Sequence, residues 1–196
     1  MVITIEQTKE LRDKTGISVM QCKKALEDAG GDMAKAIILL RKKGADIASK
    51  KAGREFHSGR VASYVHGAGN TGAMVEISCE SDFVANNEEF AKMAYDIAMQ
   101  VVATNPKYIK RADVPNEEME KAKEVFSAEV KGKPEEIKEK ILAGKLDSYF
   151  KDKILLEQDF IKDPNITIAV LLQNAIQKFG EKMEISRMAR FGVIEK

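Results

Sequence analysis

Met74-Val75-Glu76-Ile77-Ser78-Cys79-Glu80-Ser81-Asp82-Phe83-Val84-Ala85-Asn86 is the stretch from which the rest of the chain can be read. Its first seven residues alternate: Val75, Ile77 and Cys79 fall on one face, Glu76, Ser78 and Glu80 on the other. A period of two marks a half-buried strand. Asn86 then precedes Glu89 by three, the spacing of a capping-box-like helix start. Phe90, Met93, Ala94, Ile97 and Val101 follow at helical spacing, which predicts a helix over 87–104 ending at Asn105-Pro106. Ser81–Val84 therefore falls in a short connection held at both ends. Burying a side chain the size of Phe83 stabilises by roughly 1.5–3 kcal/mol. The ring either tucks into its own core or fills a pocket on another molecule. Asp82 is either a turn acid or a charge that can repel phosphate and compete for the contacts around a metal ion. Loops mounted on rigid scaffolds carry recognition more often than core positions do.

The neighbouring segments complete a sheet. Val61, Ser63 and Val65 alternate against Ala62, Tyr64 and His66, and Gly67–Gly72 supplies a turn, so 59–80 reads as a hairpin. Met183–Phe191 alternates again and predicts a last strand able to pair with that hairpin. The expected class is α+β, with a three-stranded antiparallel sheet covered by helices.

Residues 1–44 read as a three-helix module. Thr4 with Gln7 and Ser18 with Gln21 have capping-box spacing, and Asp32 caps a third helix. Gly16, Gly30-Gly31 and Gly44 are the expected stops. Residues 45–58 are the expected basic linker, with a helical tendency that loosens at Gly53, and 59–196 the expected core domain. Residues 116–150 read as an inserted helical hairpin. Its apolar seams are Met119, Ala122 and Phe126 on one arm and Ile137, Ile141 and Leu142 on the other, joined by Lys131-Gly132-Lys133-Pro134. Residues 154–161 are expected to be extended, and Thr167 to open a helix that Gly180 ends.

Composition narrows the function. Of 196 residues, 44% are hydrophobic and 32% charged, and the formal net charge is +1. That balance argues against stable nucleic-acid coating, which needs many uncompensated cations. The basic run from Lys42-Lys43 to Lys50-Lys51 lacks interleaved aromatics for base stacking and reads as a solvated linker face. Cys22 and Cys79 sit in apolar patterns and read as reduced core residues of a cytoplasmic protein. Glu6 and Lys9 come too early for a signal peptide, and no apolar run is long enough for a membrane span. His57 and His66 with those cysteines lack zinc spacing, and neither a P-loop nor a dinucleotide fingerprint occurs. No metal site and no enzyme activity are expected.

Cys79-Glu80-Ser81-Asp82-Phe83-Val84-Ala85-Asn86 resembles the central signature of the elongation factor Ts family, the nucleotide exchange factors of the translation GTPase elongation factor Tu. Leu11-Arg12, Thr15-Gly16, Met20 and Cys22-Lys23-Lys24-Ala25-Leu26 resemble the family's N-terminal module. Leu155–Ile161 is similar to its C-terminal region, so the resemblance runs from about residue 4 to the last strand. Ser81 stands where the family usually has Thr, and Val19 where it often has Met.

The resemblance implies a ubiquitin-associated-like fold for 1–44 and a coiled-coil arm within 116–150. It implies that Ser81, Asp82, Phe83 and Val84 form a wedge that disturbs the partner's Mg²⁺ and phosphate site. It assigns GTPase-domain contact to Arg12, Val19 and Met20. Tyr64-Val65-His66-Gly67 resembles a segment that long members carry on a second core subdomain, which makes His66 a candidate contact to a second domain. This chain has one such subdomain, so a homodimer is expected, with 183–191 as the pairing edge. No cofactor is implied. The competing reading is an RNA- or ribosome-associated adaptor using the helical module and basic linker.

Overall fold

A computed structural model describes residues 3–129 and 135–193, with the backbone alone for Glu135 and Glu136. In chain order the helices and strands are α1 (Ile5–Thr15), α2 (Val19–Asp28), α3 (Met33–Lys51), β1 (Ser58–His66), β2 (Thr71–Cys79), α4 (Asp82–Ala85), α5 (Glu88–Thr104), α6 (Asn116–Glu129), α7 (Glu135–Lys151), β3 (Asp159–Phe160), β4 (Asp163–Thr167), α8 (Ile168–Phe179) and β5 (Met183–Gly192). The expected α+β class holds: among the described residues β1, β2 and β5 form a three-stranded antiparallel sheet in that order. The chain divides into two compact units, and the long strands and α5 run through both.

The first unit comprises Met1–Ala62, Val75–Tyr95 and Ala169–Ser186. Its N-terminal helices start where their caps dictate. Thr4 and Gln7 form a reciprocal capping box, and the Ser18 and Asp32 side chains accept from the backbone N–H groups of Gln21 and Lys35. Leu11, Ile17, Cys22, Leu26, Ala36 and Leu40 close a small core. The Cys22 thiol is pushed up in pKa by burial and stays a small apolar filler that donates to the Ile17 carbonyl.

Gly44 does not end the third helix, which runs on to Lys51. A Cβ there would lie 3.1 Å from Gln177 Oε1 and 3.5 Å from the Gln173 carbonyl oxygen. The glycine is buried within the helix, where α8 comes close, and its small size answers that approach. Much of the stretch read as linker is therefore helical.

Val75, Ile77 and Cys79 are buried, as their alternation requires. Gly59 lies against the same strand, and a Cβ on it would come within 2.7 Å of the Ile77 carbonyl oxygen. Phe90 meets Phe179 edge-on, with ring centroids 6.4 Å apart.

The second unit comprises Ser63–Met74, Asp96–Ile168 and Arg187–Lys196. The arms α6 and α7 pack near their base, where Val114, Ala122, Phe150 and Ile154 are buried with Met119, Phe126 and Leu146 against them. On α7 the fully buried residue is Phe150, with Leu146 one turn before it partly buried; of the expected seam, Ile141 and Leu142 are partly buried and Ile137 is exposed. The turn expected at Lys131-Gly132-Lys133-Pro134 lies outside the described residues. At the base, Lys153 stands 3.6 Å from the centroid of Tyr149 and pairs with Glu118, which also accepts from the Tyr108 hydroxyl at 2.6 Å. Leu155–Glu157 is a turn of 3₁₀ helix, so only the end of the segment expected to be extended is strand.

Candidate functional site

The corner after β2 is a single helical turn rather than an open connection. Ser81 caps α4: its hydroxyl accepts from the Val84 N–H at 3.4 Å. Asn86 ends that turn, and Asn87, not Asn86, caps α5 by accepting from the Glu89 N–H at 2.9 Å. The cap lies one residue later than its spacing predicts, because the four-residue helix Asp82–Ala85 uses Asn86 as its own end.

Phe83 is 82% exposed, a large ring standing in water on a fixed turn. Asp82 beside it is exposed, and its carboxylate accepts from the Ser58 hydroxyl at 2.6 Å. Val84 is 2% exposed and Ala85 is buried, so Val84 anchors the turn from below while Phe83 and Asp82 present outward. Arg60 secures the end of the turn by donating to the Ala85 carbonyl at 3.3 Å. Single exposed apolar residues are ordinary. This phenylalanine is raised on a turn held from several sides, so its ring is open to a partner.

The other support comes from the turn between α8 and β5. Glu181 Oε2 accepts from the backbone N–H groups of Glu80 and Ser81 at 3.1 and 3.0 Å, and Oε1 accepts from the Ser81 hydroxyl at 2.5 Å. The Cys79 thiol donates to the Ser81 carbonyl oxygen. Its pKa is raised by burial first and then by the Glu181 charge, which keeps it a donor.

Glu80 accepts from the Lys182 N–H at 2.5 Å and from Arg54 at 2.8 Å. Those contacts, the Lys182 backbone N–H foremost and then the Arg54 guanidinium, hold its carboxyl below the ordinary value of 4.5. A lowered folded-state pKa contributes stability that is present above the unfolded value and lost as pH falls through the folded one. Thermal melts should therefore show a loss of melting temperature below the ordinary carboxylate range that is smaller in Glu80→Gln. Identical acid-side curves for the two proteins would contradict that assignment.

Arg12, Val19 and Met20 are all exposed, Val19 by 51% and Met20 by 84%. Arg12 and Val19 line one groove of about 320 Å³ with Ile3, Ile5, Thr8 and Lys23. His66 is the last residue of β1, in the second unit, and its Nδ1 shares a hydrogen bond with the Tyr64 hydroxyl at 2.9 Å. Among the described residues no cluster of three or more His, Cys, Asp or Glu is placed to hold a metal ion, and no helix is long and apolar enough to cross a membrane.

Sequence reading did not find Ser58, Arg54, Glu181 or Lys182. Glu181 and Ser81 are 100 residues apart, so no local pattern could have paired them.

Residues 19–195 match the family model described as Elongation factor TS. The chain belongs to the elongation factor Ts family. It is 50% identical over 194 residues to Elongation factor Ts of Thermodesulfovibrio yellowstonii, covering 98% of this chain and 97% of that protein. It is 50% identical over 192 residues to that of Carboxydothermus hydrogenoformans, covering 97% and 88%. It is 47% identical over 195 residues to that of Thermotoga petrophila, covering 100% and 98%. The family assignment thus spans the N-terminal helices, the corner and the last strand together.

Proposed function

We propose that this chain promotes GDP release from elongation factor Tu by wedging Phe83 into its GTPase domain while Asp82 disturbs the Mg²⁺ and phosphate site. The exposure of Phe83 on a clamped turn is the observation that carries this reading. In such a GTPase the metal ion coordinates phosphate oxygens and neutralises their charge, so GDP and Mg²⁺ hold one another in place. A factor that binds the nucleotide-free form more tightly must weaken nucleotide binding by the same factor. No covalent step is needed, and the ion belongs to the partner.

Residues 1–44 act as the docking module through Arg12, Val19 and Met20, followed by the 45–58 segment. The 59–196 core, with its 116–150 hairpin, carries the wedge and offers His66 to a second domain of the partner. The exchange acts in the cytoplasm as part of translation elongation. The test is direct: this chain should accelerate release of a fluorescent GDP from elongation factor Tu, and no acceleration at saturating concentration would refute the reading.

The working form is a homodimer. Val65, Met74, Phe191 and Val193 are 62%, 50%, 71% and 64% exposed, and they line one groove of about 400 Å³ on the sheet. The outer face of an antiparallel sheet is ordinarily polar, and an apolar one favours cover by a second copy. The last strand β5 lies at the edge of the sheet and brings Phe191 to that face. Phe191→Asp should convert the dimer to monomer in sedimentation at micromolar concentration. A wild-type protein that sediments as a monomer there would exclude the dimer.

A further inference from the structure

The turn between α8 and β5 holds the corner through contacts of one carboxylate. Glu181 engages two consecutive backbone N–H groups and the hydroxyl that caps the next helical turn, three donors within 3.1 Å. The backbone N–H groups of Glu80 and Ser81 lie at the end of a strand, where the chain leaves the ladder and its donors need other acceptors. The Ser81 hydroxyl donates to Glu181 and accepts from the Val84 N–H, so it links the clamp to the helical turn that carries Phe83. Lys182 continues the same grip: its N–H binds Glu80, and its ammonium donates to the Arg54 carbonyl at 2.7 Å and lies 4.3 Å from the Phe56 ring centroid.

We infer that Glu181 is a positioning residue for nucleotide exchange, acting through Ser81 to fix the direction in which Phe83 is presented. The inference rests on the exchange reading above and assigns a role that local sequence does not show. The physical reason is the cost of aiming. A ring on a loose loop must be ordered when it enters a partner, and ordering it beforehand moves that cost into folding of the free protein. The charged carboxylate makes stronger hydrogen bonds to backbone N–H groups than a neutral amide would, so its charge matters beyond its shape. Glu181 itself is not assigned a contact to the partner.

Exchange on elongation factor Tu with fluorescent GDP tests this with Glu181→Gln, Phe83→Ala and the double variant. Glu181→Gln should lower the maximal release rate roughly tenfold, the size expected when a charge-assisted contact is lost. The concentration of factor giving half the maximal effect should stay near wild type. Backbone amide exchange at Glu80 and Ser81 should accelerate. In the Phe83→Ala background the same substitution should add no further loss, because the residue it aims is gone.

If Glu181→Gln fails to fold, Glu181→Asp keeps the charge one methylene short and should give a smaller loss of the same kind. Wild-type rates in Glu181→Gln, with Phe83→Ala inactive, would overturn the positioning role and leave the exchange reading standing. An equal loss in both backgrounds would overturn it too, since that is the mark of a general effect on stability. A wild-type chain that releases no GDP would remove the exchange reading and this role with it.

Discussion

Phe83→Ala should slow GDP release roughly ten- to hundredfold at saturating factor, the equivalent of about 1.5–3 kcal/mol for burying a ring of that size in a partner. Complex formation should weaken less, because the surface around Arg12, Val19 and Met20 is untouched. The free protein should barely notice. A ring 82% exposed supports little of its own fold, so the melting curve should stay within the small range of surface substitutions. The two readouts together separate a wedge from an anchor: a buried phenylalanine cut to alanine costs about 3–5 kcal/mol in stability. Stopped-flow release of fluorescent GDP and a thermal melt on the same preparation decide the matter. An unchanged release rate discards the wedge, and a large drop in stability would mean the ring was holding its own protein together.

Gln100→Leu should destabilise the second unit by about 2–6 kcal/mol, from two backbone polar groups left unpaired at roughly 1–3 each. Gln100 is fully buried. Its amide nitrogen donates to Gln158 Oε1 at 3.0 Å and to the Asp159 carbonyl at 3.1 Å, and its oxygen accepts from the Ile161 N–H at 2.9 Å. Thr104 and Asp152 complete the network by binding Gln158 from either end. One side chain on α5 thus satisfies the backbone of the segment that turns from β3 towards β4. Leucine fits the volume but takes this partner from the Asp159 carbonyl and the Ile161 N–H, while Gln158 Oε1 keeps the Thr104 hydroxyl. A total folding stability of 5–15 kcal/mol makes such a loss easy to measure. Urea unfolding followed by circular dichroism should show the midpoint falling with its slope unchanged. A change below about 1 kcal/mol would mean that water or a backbone shift replaces the amide.

Much of the site lay in short-range order. The strand period around Ile77 and the helix period after Phe90 bracket the corner, and both periods come from the geometry of the backbone. The caps at Thr4, Ser18 and Asp32 are equally local, each a side chain meeting an N–H three residues on. The helical turn Asp82–Ala85 escaped because four residues are too few to display a period. Gly44 misled for a different reason. A glycine stops a helix when its backbone turns left-handed, yet it also suits a place where another helix comes close, and the residue type does not say which.

The chain's order of residues determined where strand gives way to helix, which faces are apolar, and that an aromatic beside an acid falls at the junction. These follow from backbone periodicity and the chemistry of capping, which act over a few residues. Whether that aromatic points inward or out was settled by groups far along the chain. Ser58, Arg60 and Glu181 reach Asp82, Ala85 and Ser81 across 24, 25 and 100 residues. A hydrogen bond depends on distance in space, and only packing brings those atoms together.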